Sequence, residues 1–135
     1  PALNLSIAQR LMKRLCPDCK KPIVASPAVA AIIEEELSKL TPEQKKKLEW
    51  KKPYKIYQAP GCKFCAQKGT RGRIALFEAV SMTPEMEEII AQKPTEAAIG
   101  EEAKKQGMIT MKQDGILKAL QGIISFEEML KVVEE

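Results

Sequence analysis

Ser6-Ile7-Ala8-Gln9-Arg10-Leu11-Met12-Lys13-Arg14-Leu15-Cys16-Pro17-Asp18-Cys19 carries two signals in one short run. Ser6 followed three residues later by Gln9 has the form of a capping box. Ile7, Ala8, Leu11, Met12 and Leu15 recur at the helical period, so the first half predicts a helix over about residues 7–15. The second half is a Cys-x-x-Cys knuckle, and Cys62-Lys63-Phe64-Cys65 repeats it after 42 intervening residues. This spacing lets a tight turn aim both sulfurs at one ion while turn amides donate to the thiolates. Four soft ligands in two knuckles, with Gly61 and Gly69 bracketing the second, favour one closed, structural, tetrahedral zinc formed by Cys16, Cys19, Cys62 and Cys65. Three other chemistries use the same residues: a redox dithiol, which usually opens a helix in a βαβ setting; disulfides, which need an oxidising compartment; and an iron–sulfur cluster, which normally shows a tighter spacing.

Composition narrows the field further. The 135 residues suit one ordinary domain or two small ones, and at 44% hydrophobic residues the chain is neither disordered nor strongly acidic. The complete absence of His removes His-dependent triads, the His-Glu-x-x-His metalloprotease and mixed Cys/His fingers. No apolar run approaches the roughly 18 residues of a spanning helix and no secretory leader is evident, so a reducing, cytosolic compartment is expected. Because the first residue is Pro1, the sequence is expected to begin inside a longer polypeptide or after a removed tag. Net charge is uneven: residues 1–80 sum to +9 and residues 81–135 to −5. Four thiolates around a divalent ion leave −2, which Lys20, Lys21, Lys63 and Lys68 offset, so the basic half does not by itself imply nucleic acid.

Further along, Ser26 with Pro27 opens a helix bearing Val29, Ile33, Leu37 and Leu40 on one face, and Thr41, Pro42 and Gln44 open a short Lys-rich one. Tyr54 to Ala59 and Arg73 to Val80 read as strands. Thr83, Thr95, Thr110 and Ser125 then head four short helices, two of them ending near Gly107 and Gly122. These must bury Met86, Ile89, Ile90, Ile99, Met111, Leu117, Leu120, Phe126, Met129 and Leu130 together, giving a satellite domain with an acidic exterior. The fold class expected is α+β, predominantly helical: a small zinc-stapled subdomain with a short two-strand element, then a small helical bundle. In the excursion between the cysteine pairs, the metal is expected to do the work of a core.

No Gly is followed by Lys, so the phosphate-cradling Gly-x-x-x-x-Gly-Lys loop is missing, as is Gly-x-Gly-x-x-Gly. The carboxylates fall in surface-type runs and no catalytic residue is assigned. Arg10 and Arg14, four apart on the expected helix, and Arg71 and Arg73, flanking Gly72, are solvated basic surface or, alternatively, a subunit or anion contact.

The run Ala8 to Lys20, then Gly61-Cys62-Lys63-Phe64-Cys65, Gly72-Arg73-Ile74-Ala75-Leu76-Phe77-Glu78, Gly107 to Gly115 and Ser125-Phe126-Glu127-Glu128, resembles the C-terminal part of the type II secretion and type IV pilus assembly ATPases. The resemblance implies a fragment of a hexameric cytoplasmic motor, docked at the inner face of the bacterial inner membrane. Such motors use ATP and Mg2+ in an upstream RecA-like core to drive pilin or pseudopilin assembly through a membrane platform protein. It further implies that residues 1–15 end the ATPase core, 16–80 form its tetracysteine zinc subdomain and 81–135 its helical C-terminal domain. The nucleotide-binding and catalytic motifs of that family lie upstream, so this part is expected to be structural and not itself an enzyme. The alternative is a freestanding zinc-ribbon-like module whose basic half contacts nucleic acid or an acidic protein. It ranks second because Tyr54, Tyr57, Phe64 and Phe77 are few and sit at strand or knuckle positions.

Overall fold

A computed structural model describes residues 4–48 and 50–134. Among them are four strands and six α-helices, in the order β1 (Leu5–Leu15), β2 (Lys21–Val24), α1 (Pro27–Ser38), α2 (Pro42–Lys47), β3 (Lys55–Gln58), β4 (Thr70–Ser81), α3 (Pro84–Gln92), α4 (Glu96–Lys105), α5 (Met111–Leu120) and α6 (Phe126–Val133). The α+β, mainly helical class is as expected. No helix of the described residues is long and apolar enough to cross a membrane.

The first element departs from expectation: Leu5–Leu15 is a strand and not a helix. Its apolar residues satisfy the helical period and not a strict alternation, since Ile7 and Leu11 fall on one face of the strand and Ala8 and Met12 on the other; a non-local partner overrides the local period. β4 runs antiparallel to β1 from Leu5 opposite Ser81 to Lys13 opposite Arg73, then slips so that Leu15 faces Thr70. Directly opposed residues share a face of the ribbon. Met12, Ile74 and Leu76 therefore turn together into the core, while Leu5, Ile7, Leu11 and Phe77 lie on the other face and are 48–59% exposed. Ser6 sits opposite Val80 and caps nothing.

The strands expected near residues 54–59 and 73–80 are present, each with its own partner: β3 pairs with β2 and β4 with β1, making two separate two-stranded sheets. β2 has no counterpart in the sequence reading because Pro22 reads as a breaker. A proline is tolerated on an edge strand, where its missing N–H faces away from the ladder.

The helix starts are as read. Ser26, Thr41, Thr83, Thr95, Thr110 and Ser125 each accept the amide three residues on, and Thr41–Gln44 and Thr110–Gln113 form full capping boxes. Two of the four C-terminal helices, α5 and α6, are not set apart from the rest, whereas no residue of α3 or α4 belongs to the core they join. Ile116, Leu117, Phe126 and Met129 share one continuous core with Met12 and Leu76 of the ribbon, Ile33 and Leu37 of α1, and Tyr54 and Ile56 of the excursion. The excursion is thus held by apolar packing as well as by its cysteine staple. Ile90, expected inside, is 42% exposed.

Two polar contacts fasten β4 to the helices. The Glu78 carboxylate accepts the Met111 amide at 2.9 Å, and Asp114 accepts the Phe77 amide at 3.0 Å. The Gln106 side chain accepts from the Ser81 amide and donates to its carbonyl, both at 3.0 Å, as a paired peptide would.

Candidate metal centre

β1 delivers Cys16 directly at its end, where the slipped register turns the chain inward. The Leu15 amide donates to Ile123 at 2.8 Å, the Cys16 amide to the Gly69 carbonyl at 2.9 Å, and the Lys20 amide closes the first knuckle on the Cys16 carbonyl at 3.1 Å. The second knuckle is a single 3-10 turn, Lys63–Cys65, entered from extended Cys62. Ala66 (φ 53°) and Gln67 (φ 64°) leave it through the left-handed region, and Gln67 donates to the Cys62 carbonyl at 2.9 Å.

These turns bring all four sulfurs within 4.8 Å of one another. Cys16 and Cys62 are 3.8 Å apart, Cys62 and Cys65 3.8 Å, and Cys19 and Cys65 4.0 Å. A regular tetrahedron of sulfurs about 2.3 Å from a central ion has edges of about 3.8 Å, so the spacing fits a single four-coordinate ion. The separations are far beyond a disulfide bond of about 2.05 Å, and all four cysteines are free. Two independent dithiols would have no reason to converge in this way. Cys16 and Cys65 are buried, whereas Cys19 and Cys62 are half-buried.

The local field is divided. Burial pushes the Cys65 thiol up, but the amides of Cys62 and Gly69, each donating to its sulfur at 3.2 Å, outweigh that and bring it down to about 6. Burial pushes Cys19 up to about 12 against the amide of Gly61. One sulfur is therefore prepared as a thiolate and another resists ionisation beside it; a divalent cation at the centre removes the conflict, because it ionises the thiols that coordinate it.

Sequence reading found the four cysteines and placed Gly69 beside the second knuckle, but did not find its role: its amide serves Cys65 and its carbonyl serves Cys16. Its signal was a glycine four residues after a knuckle: φ is +75°, and a Cβ there would lie 2.5 Å from the Ala59 carbonyl oxygen. Of the lysines expected to offset the thiolates, Lys20 turns aside, donating to the Gly122 carbonyl at 2.9 Å over the ring of Tyr57.

The four arginines are not one group. Arg14, Arg71 and Arg73 line a cavity of about 310 Å³ with Lys20 beside the first knuckle, where Arg71 pairs with Asp18 at 3.2 Å. Arg10 lies four residues back along an extended strand, roughly 13 Å from Arg14 at strand rise and not one helical turn away.

The structure thus defines a fold of the α+β class, built on a long antiparallel ribbon, whose four clustered cysteines could hold one metal ion. The chain belongs to the type II/IV secretion system protein family, whose family model matches residues 1–131. It is 34% identical over 140 residues to the type IV pilus assembly ATPase PilB of Pseudomonas aeruginosa, covering 99% of this chain and 22% of that protein. To the type II secretion system ATPase E of Vibrio cholerae it is 35% identical over 129 residues, covering 96% and 23%. To the protein transport protein HofB homolog of Escherichia coli it is 33% identical over 136 residues, covering 98% and 25%. The chain therefore spans about one fifth to one quarter of the length of these curated relatives.

Proposed function

We propose that this chain is the zinc-bearing C-terminal region of a longer motor ATPase that drives type IV pilus assembly or type II secretion. The observation that carries this reading is the tetrahedral spacing of four cysteine sulfurs inside a chain matched along nearly its whole length by the family. Cys16, Cys19, Cys62 and Cys65 would hold one Zn2+, and with four protein ligands no position is left for substrate or water, so the ion is structural. ATP and Mg2+ belong to the upstream core of the parent, which assembles as a homo-hexamer at the cytoplasmic face of the inner membrane and works on a platform protein. In this assignment residues 1–15 end the core, with β1 in place of the helix expected there; residues 16–80 are the zinc subdomain and residues 81–135 the helical C-terminal domain. Arg14, Arg71 and Arg73, gathered in one cavity, are the candidate subunit or anion contacts, and Arg10 is a separate one.

The test has two parts. Native mass spectrometry of the purified chain should find one zinc, lost in a Cys16→Ser/Cys62→Ser variant. The natural gene should encode a Gly-x-x-x-x-Gly-Lys-Ser/Thr loop upstream of Pro1, and the same double substitution in the parent should abolish pilus assembly or secretion. A start codon immediately before Pro1, or a metal-free parent that assembles normally, overturns the proposal.

A further inference from the structure

A second recess is lined by none of the cysteines. Residues 50–57 and α5 leave a cavity of about 360 Å³ between them. Its apolar walls come from both sides: Trp50 and Tyr57 from the excursion, Leu117 and Leu120 from α5. Trp50 and Leu120 are only partly buried, so their apolar surface opens into the recess. Among the described residues its rim carries Lys51, Lys52 and Lys55 and no carboxylate. Lys52 is engaged, 3.2 Å from Glu34, whereas the Lys51 and Lys55 ammonium groups have no ion-pair partner among the described residues.

An apolar floor under a rim bearing lysines narrows its occupant. The floor takes an apolar group, and the rim takes negative charge on either side of it. A dry recess of roughly 150 Å³ already accepts a benzene ring, so this one has room for an aromatic or branched side chain with its flanking backbone. Concavity decides between the two anionic surfaces that a protein commonly meets. A bilayer is flat and would bridge the mouth, leaving the floor unfilled, whereas a peptide can insert one side chain and lay carboxylates across the rim.

We propose that this recess is a docking site for an acidic peptide segment of a partner protein, anchored by one apolar side chain. Because the walls belong to the excursion and to α5, the peptide would bind the two together. It would also give the Lys-rich stretch 45–55 a role that the metal centre does not require.

The chain carries its own reporter, since Trp50 is the single tryptophan. The probe is an acetylated, amidated peptide of about ten residues with one Phe flanked by Asp and Glu. Titrated into the 135-residue chain, it should give a saturable change in Trp50 emission, with affinity falling at least about tenfold between low salt and about 0.3 M salt. Replacing the Phe with Gly, or the protein's Lys51 and Lys55 with Glu, should each weaken binding by about tenfold or more with unchanged far-ultraviolet circular dichroism. The idea is overturned if the peptide leaves Trp50 emission unaltered at millimolar concentration, if the Gly peptide binds equally well, or if vesicles of phosphatidylglycerol shift the emission and the peptide does not.

Discussion

The Cys16 amide donates to the Gly69 carbonyl at 2.9 Å, while the amide of the same glycine donates to the Cys65 sulfur at 3.2 Å. One peptide unit on either side of Gly69 thus spans both knuckles, although Cys16 and Gly69 are far apart in sequence. Outer groups that orient metal ligands typically govern affinity by about 10- to 100-fold. Gly69→Ala, which drives a Cβ to 2.5 Å from a backbone oxygen, should therefore weaken zinc binding by about that factor in a chelator competition. An unchanged affinity would show that the loop yields without moving either cysteine.

Removing the metal should cost more than the knuckles. An ion held by the four cysteines would fix the end of β1 and the approach to β4, and the ribbon supplies Met12 and Leu76 to the shared core. Chelation should lower the thermal midpoint by tens of degrees and expose four reactive thiols per chain, read by a colorimetric thiol assay. Because the core also holds Ile33, Leu37 and Tyr54, helical circular dichroism should persist in part.

At Gly115 two effects oppose each other. Alanine is better than glycine within a helix by about 1 kcal/mol, but a Cβ here would lie 2.5 Å from the Met129 Cγ and 3.3 Å from Leu76. Met129 is fully buried and cannot swing away, and overpacking costs about 1–3 kcal/mol, so Gly115→Ala should be destabilising in urea unfolding. Combining it with Met129→Ala should cost less than the sum of the two single changes.

The contact between Glu78 and the first amide of α5 joins a carboxylate to a helix N-terminus. Charge-assisted bonds of this kind contribute about 1.5–3 kcal/mol, and partial exposure places this one at the lower end. Glu78→Ala should thus lose about 1–2 kcal/mol, with Glu78→Gln intermediate, by denaturant titration.

Tyr54 and Glu34 give stability a pH signature. The Tyr54 hydroxyl donates to the Glu34 carboxylate, which that bond and nearby Lys52 hold below its ordinary value, while burial and the carboxylate push Tyr54 up to about 12. A lowered carboxyl contributes stability above its unfolded pKa of about 4.3, lost as pH falls through the folded value. A raised phenol contributes below about 10, lost as pH rises through about 12. The stability gap between the protein and Tyr54→Phe should then be widest from about pH 5 to 9 and narrow at both ends. A gap that is constant with pH would show that the hydroxyl contributes only packing.

What the sequence disclosed was whatever depends on neighbours along the chain. Thr41 with Gln44, Thr110 with Gln113, and the two Cys-x-x-Cys turns are each settled within four residues, and all four stand as read. Leu5–Leu15 is the opposite case. Its apolar spacing favours a helix, and only the pairing with β4, some sixty positions away, overrides it. The same non-local pairing undoes the one-turn relation of Arg10 to Arg14 and brings α5 and α6 onto the ribbon's core. β2 was illegible because Pro22 is a stop signal along the chain but harmless at the rim of a sheet.

The two edges of the β1–β4 ribbon are finished differently. Along β4, Asp114 and Gln106 occupy the outward peptide groups of Phe77 and Ser81. Along β1 no further strand pairs among the described residues, and Leu5 and Ile7 leave that rim greasy, while Arg10, Lys13 and Arg14 keep its far half charged. An exposed, flat, apolar rim is a template on which strands from other molecules add. Aggregation of this chain, when concentrated by itself, should start at Leu5–Gln9, and a lysine at Ile7 is the change that would keep it in solution.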